Sequence, residues 1–281
     1  MTDVDPAPHS LEVPGARLYY ERWGNGPLLV MVGSPMDSTK FAGLARVLAD
    51  RYTVVTYDPR GIGNSSREDA ASDLTPQQQA DDVHRLLDAL GSGPVDIFAS
   101  SGGAVVGLAL VTAHPDRVRT LVAHEPPLVD LLADRAHVHE QVQHIYDTYR
   151  THGPEKAKAM HQYLVHAGTA GPPAKRAEPP RREPSTEERD RSRAKIHVFY
   201  AHLLRPTTRY RPDIKKLCAA PTRIVIGRGA TTHGQLANRA AVALATRLGV
   251  TPVEFPGDHL GFVPLPRECG DVLHQVLQEA R

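Results

Sequence analysis

The sequence predicts an α/β domain: a mostly parallel sheet flanked by helices, with an inserted helical lid. Three observations predict it. Short apolar runs bounded by Gly or Pro recur along the chain, as strands buried on both faces of a sheet require. Segments with apolar residues at helical spacing separate them. The alternation stops after Glu125 and resumes near residue 213. The organisation that follows is a first part of the core over residues 1–125, an inserted lid over 126–212, and a second part of the core over 213–281.

The elements follow in chain order. Leu11–Val13 and Ala16–Arg22 flank Pro14-Gly15 and predict a hairpin. Leu28–Val32 predicts a buried strand, and Phe41, Leu44, Ala45 and Leu48 mark a helix. Tyr52–Tyr57 is the next strand. Thr75-Pro76-Gln77-Gln78 offers an N-cap, a first-turn proline and a Gln at the third helical position. The helix it opens places Val83, Leu86, Leu87 and Leu90 on one face. Val95–Ala99 is a strand, Gly102–His114 a helix and Val118–Ala123 a strand. Strand–helix alternation of this kind implies parallel strands covered on both sides.

Within the inserted segment, Val138–Tyr149 and Glu155–His166 predict amphipathic helices. Residues 168–195 contain eight Lys/Arg and five Asp/Glu among many prolines. So little apolar surface predicts a mobile loop. Thr222–Ile226, Gln235–Leu248, Thr251–Phe255 and Cys269–Gln278 then predict strand, helix, strand and helix. An insertion over the carboxyl ends of parallel strands covers the usual ligand crevice.

Composition narrows the function. Of 281 residues, 41% are hydrophobic and 23% charged, with a formal net charge of +1. That balance gives no basic surplus for nucleic-acid binding. Cys218 and Cys269 lack metal-like spacing and do not make a disulfide scaffold. The opening MTDVDPAPHS differs from a signal peptide, and no apolar run reaches membrane-spanning length. A cytoplasmic protein without membrane attachment is expected. Eight histidines fall between His137 and His202, but His137-x-His139 lies at helical i, i+2, so its rings diverge. No metal and no cofactor are expected.

The chemistry is carried by Val95-Asp96-Ile97-Phe98-Ala99-Ser100-Ser101-Gly102-Gly103-Ala104. A strand ends in small residues and a helix starts at once. Such a turn forces its central residue into a strained conformation and presents its hydroxyl at a helix N-terminus. Ser101, not Ser100, has small residues at both −2 and +2. The segment lacks the Gly-Lys-Ser/Thr ending of a phosphate loop and the spacing of a dinucleotide fingerprint. Ser101 is the expected nucleophile.

These stretches together resemble the α/β-hydrolase superfamily, in its lidded serine esterase, lactonase and cofactor-free haloperoxidase-like branches. Ala99–Gly103 resembles the family's nucleophile turn, and Asp58-Pro59-Arg60-Gly61-Ile62-Gly63-Asn64-Ser65 the loop after the second buried strand. Pro256-Gly257-Asp258-His259-Leu260-Gly261-Phe262 resembles the loop carrying the histidine, which makes His259 the expected general base. Leu28–Pro35 resembles the strand and oxyanion loop, with Val32-Gly33 where the family usually has His-Gly. The resemblance implies the backbone N–H groups of Ser34 and Gly102 as oxyanion donors. Arg60 is expected to anchor its loop, with a substrate carboxylate as the alternative partner.

The acid departs from the family's commonest position. The loop Gly227-Arg228-Gly229-Ala230-Thr231-Thr232-His233 carries no carboxylate. Some superfamily members, certain lactone-hydrolysing ones among them, take the acid from the strand end where this chain has His124-Glu125-Pro126. The expected triad is Ser101, Glu125 and His259. Alternatively, Glu125 bonds the lid backbone or Arg228, and Asp258 and Asp130 are the nearest other carboxylates. A serine at the turn, where dehalogenases and epoxide hydrolases have aspartate, implies an acyl-enzyme. The expected substrate is a small carboxylic ester or lactone. A cofactor-free perhydrolase or haloperoxidase-like enzyme is the runner-up, and a non-catalytic ligand receptor on the same fold the third reading.

Overall fold

Strands β1 (Ala7–Val13) and β2 (Ala16–Trp23) pair antiparallel around Pro14-Gly15, where Gly15 takes φ 71°. The computed structural model describes residues 6–91, 93–166 and 185–279. β2 pairs antiparallel with β4 (Thr53–Tyr57), and every later pairing is parallel. The remaining strands are β3 (Leu28–Val32), β5 (Val95–Ser100), β6 (Val118–His124), β7 (Arg223–Gly229) and β8 (Val253–Phe255). The eight lie in the order β1-β2-β4-β3-β5-β6-β7-β8.

Two apolar layers hold this sheet, because successive strand side chains point to opposite faces. In β3, Leu29 and Met31 join Phe41 and Leu44 of α1 (Ser38–Leu48) and Leu273 of α10 (Pro266–Gln278). Val30 and Val32 face Val83 and Leu86 of α2 (Pro76–Ala89), Leu108 of α3 (Gly102–Ala113) and Leu244 of α9 (Leu236–Leu248). All of these side chains are buried. The Thr75 hydroxyl caps α2 by accepting from the Gln78 amide at 3.2 Å.

The loop after β4 is a cross-link. The Asp58 carboxylate accepts from the amides of Ser38 and Asn64, each at 2.7 Å. Arg60 forms a buried bidentate pair with Asp82 of α2, at 2.7 and 2.5 Å. Nη2 also donates to the Pro14 carbonyl at 3.3 Å, so the guanidinium anchors the loop to both α2 and the β1–β2 turn.

The described parts of the insertion between β6 and β7 are largely helical, with α4 (Arg135–His152) and α5 (Pro154–His166) close to the expected bounds. The expectation of a mobile loop over 168–195 is corrected in its last part. Ser185 caps α6 (Thr186–Val198) through a reciprocal pair with Glu188, and Lys195 bonds Asp37 of the core at 2.7 Å. The capping box and acidic first turn start a helix that has almost no apolar face. The rest of that expected loop, 168–184, lies outside the described residues. A π-helical turn, Phe199–Leu203, continues α6 into α7 (Leu204–Thr208), and α8 (Ile214–Ala219) leads back to β7. Among the described residues, no helix is long and apolar enough to cross a membrane.

Candidate active site

β5 is buried along its whole length and ends at Ser100. Ser101 follows at φ 58°, ψ −127°, and α3 begins at Gly102. A non-glycine residue held there is strained by about 1–3 kcal/mol. The neighbours must be small because the end of β3 presses against them. A Cβ on Gly103 would lie 2.2 Å from the Val32 carbonyl oxygen, and one on Gly102 2.4 Å from that of Ser34. The Ser101 amide donates to the His124 carbonyl at 2.9 Å, which ties the turn to β6.

Glu125 occupies the first position after β6, also with positive φ (48°), and is fully buried. Its amide donates to the Gly227 carbonyl at 3.0 Å. Oε1 accepts from the Gly229 amide at 3.0 Å, from the Thr232 hydroxyl, and from Asn238 Nδ2 at 3.5 Å. Oε2 lies 2.6 Å from His259 Nδ1. The loop without a carboxylate thus supplies donors to a carboxylate from the next strand. Arg228 pairs instead with Glu254 at 3.4 Å.

Thr232 and Asn238 are the participants that sequence reasoning missed. The signal was the Thr231-Thr232 pair in a loop where an acid was sought. His124 was missed too: it lies buried among Phe98, Phe255 and Phe262, with its ring centroid 6.2 Å from that of His259. Burial pushes its pKa down to about 4, so at neutral pH it adds no charge beneath the site.

Burial alone would raise the Glu125 carboxyl. The hydrogen bond and charge of His259, with His124 and the Thr232 hydroxyl, outweigh burial and bring it down to about 2. A depressed carboxyl stabilises the fold above its unfolded value, and that stability is lost as pH falls toward the folded value. The stability gap between wild type and Glu125→Gln is therefore expected to shrink by about 3 kcal/mol as pH falls from about 4.5 to about 2. Urea unfolding at stepped pH measures it, and a gap constant over that window would show that the carboxylate is not held ionised.

The other candidate carboxylates are engaged elsewhere. Asp258 is exposed, and its Oδ1 accepts from the Leu260 amide at 2.9 Å. Asp130 pairs with Arg211 at 2.9 Å and His139 at 3.3 Å.

Ser101, Gly102, Ser34 and His259 line one cavity of about 300 Å³ with Phe199 and Leu203 of the lid. The Ser34 hydroxyl donates to Gln79 Oε1 at 2.8 Å, which fixes the loop after β3 against α2. Among the described residues lining the cavity there is no Lys, Arg, Asp or Glu. The walls therefore suit an uncharged ligand.

A strand-ending serine, a carboxylate-bound histidine and a lid over a parallel sheet define the α/β-hydrolase class. The profile of the alpha/beta hydrolase fold family matches residues 26–232, and the chain belongs to that family. Over 277 residues the chain is 31% identical to the uncharacterized hydrolase YraK of Bacillus subtilis, covering 97% of this chain and 96% of the relative. It is 24% identical over 262 residues to zearalenone hydrolase of Bionectria ochroleuca, covering 90% of each. A thermophilic esterase from Thermogutta terrifontis has the same fold, with a TM-score of 0.71 at 19% identity, over 98% of this chain and 99% of that one.

Proposed function

We propose that the protein is a serine hydrolase acting on an uncharged carboxylic ester or lactone through an acyl-enzyme. The 2.6 Å contact between His259 Nδ1 and the buried, depressed carboxyl of Glu125, in a cavity shared with Ser101, carries this reading. Glu125 holds the proton on Nδ1, which leaves Nε2 as the base. His259 takes the Ser101 proton as Oγ attacks the carbonyl carbon, and Glu125 stabilises the imidazolium. The amides of Ser34 and Gly102 receive the developing oxyanion. His259 then returns the proton to the leaving alcohol, and a water activated the same way releases the acid.

A receptor has no use for a strained serine beside a carboxylate-bound imidazole, and this favours catalysis over the binding-only reading. The hydrolase activity named for zearalenone hydrolase, a relative of similar length, supports the same reaction class. The test is a fluorophosphonate, which reacts only with an activated serine. One adduct is expected, located on the Ser101 peptide by mass spectrometry. Labelling that persists unchanged in Ser101→Ala would assign the nucleophile elsewhere.

A further inference from the structure

The lid contributes a polar group to the cavity that this mechanism does not use. His161 of α5 lines the cavity that holds Ser101 and His259. Its ring packs 5.2 Å from Phe199 and 5.9 Å from Tyr200, centroid to centroid. Among the described residues, neither ring nitrogen has a hydrogen-bond partner. Burial pushes its pKa down to about 4, with the charge of His259 acting in the same direction. At neutral pH it is an uncharged imidazole with one N–H donor and one acceptor nitrogen.

Its surroundings make that free capacity informative. Val142, Leu164, Leu203, Leu204 and Leu236 give the cavity apolar walls. Two nearby polar groups are committed: Thr208 donates to the Leu204 carbonyl at 2.8 Å, and His166 Nδ1 lies 2.7 Å from the Gln162 carbonyl. The Thr207 hydroxyl and the Gln162 amide border the same cavity as the competing polar contacts. An apolar ligand that covered His161 would leave a desolvated imidazole unpaired, at a cost that a ligand hydroxyl avoids. A hydroxyl both donates and accepts, so it satisfies either tautomer of the ring. A carboxylate or ammonium would enter without a counter-charge on the described walls.

We propose that His161 is a specificity residue that selects substrates bearing one neutral hydroxyl on an otherwise apolar body, away from the scissile carbonyl. This rests on the esterase or lactonase reading above. The π-helical turn at Phe199–Leu203 supports it by bringing Phe199 onto the imidazole and Leu203 into the same cavity. Turns of this kind recur at functional sites.

The experiment compares benzyl phenylpropanoate with the same ester carrying a para-hydroxyl on the acyl ring or on the benzyl ring. Binding is titrated on full-length Ser101→Ala, so the readout does not need turnover. One hydroxylated isomer is expected to bind about tenfold tighter than the parent, the value of one buried hydrogen bond. Adding His161→Phe should bring that ratio near one, and adding His161→Gln should restore part of it. A ratio near one for both isomers before the change at 161 overturns the proposal. So does a ratio that survives His161→Phe, or one that His161→Gln fails to recover. Collapse in Thr207→Val with survival in His161→Phe would assign the contact to the Thr207 hydroxyl and overturn the proposal. Turnover of the parent ester by wild type is measured separately. No turnover of it together with no fluorophosphonate adduct on Ser101 overturns the hydrolase reading, while the binding ratio still decides the role of His161.

Discussion

Ser101→Ala is expected to lower kcat/KM for an activated aryl ester by about 10⁴–10⁶-fold, or about 5–8 kcal/mol of transition-state stabilisation. The size follows from the proposed covalent route. Without Oγ the acyl-enzyme cannot form, and only the oxyanion donors and the shape of the cavity remain to assist direct attack by water. The fold should be little changed. Alanine keeps the Cβ that makes φ 58° unfavourable, so it neither adds nor relieves strain. Ser101→Gly separates the two roles of the position, since it removes the nucleophile and also the strain. It should be as inactive as Ser101→Ala but more stable by urea unfolding, by about 1 kcal/mol. Substantial turnover in a folded Ser101→Ala protein would remove the acyl-enzyme from the reaction.

The sheet was legible because its strands are short apolar runs stopped by Gly or Pro. Leu28–Val32 was read with the bounds that the structure has. The turn at Ser101 was legible because close approach of β3 leaves room only for Gly102 and Gly103, which is a composition signal. Glu125 was reachable by a topological argument: adjacent parallel strands end on one face, so a carboxylate at the end of β6 comes near the loop after β7.

Other features were not legible, for two physical reasons. Helix α6 is charged on nearly every face, and hydropathy periodicity cannot see a helix whose only buried residue is Val198. Its start was written in Ser185 and Glu188, a capping-box spacing that the charged composition outweighed. Thr232 and Asn238 lie 107 and 113 residues from the carboxylate that they bind. The Thr231-Thr232 pair is the one local sign of that partner, Asn238 carries none, and only the paired strands bring both to it. His161 is similar: nothing in Glu155–His166 distinguishes the helix face that meets the cavity until the lid is in place.

Glu125→Gln is expected to lower kcat/KM by about 10²–10⁴-fold, or about 3–5 kcal/mol, with the protein still folded at neutral pH. The replacement keeps the shape and one carbonyl oxygen, which can still accept from the Gly229 amide and the Thr232 hydroxyl. What changes is the group facing His259. A carboxylate Oε2 at 2.6 Å requires a proton on Nδ1, whereas an amide NH₂ in that place donates and requires Nδ1 to accept. The proton then sits on Nε2, where the proposed mechanism needs a lone pair for Ser101. The negative charge that stabilises the imidazolium is lost as well. Both defects act before any substrate-specific step, so phosphonate labelling of Ser101 should slow alongside turnover. Asp258→Asn and Asp130→Asn are the controls. Asp258 is exposed and bonds a neighbouring amide, and Asp130 is paired with Arg211, so each should stay within about twofold of wild type. Full activity in folded Glu125→Gln, with collapse in Asp130→Asn, would transfer the acid role to Asp130 and leave Glu125 as a tie between β6 and the loop after β7.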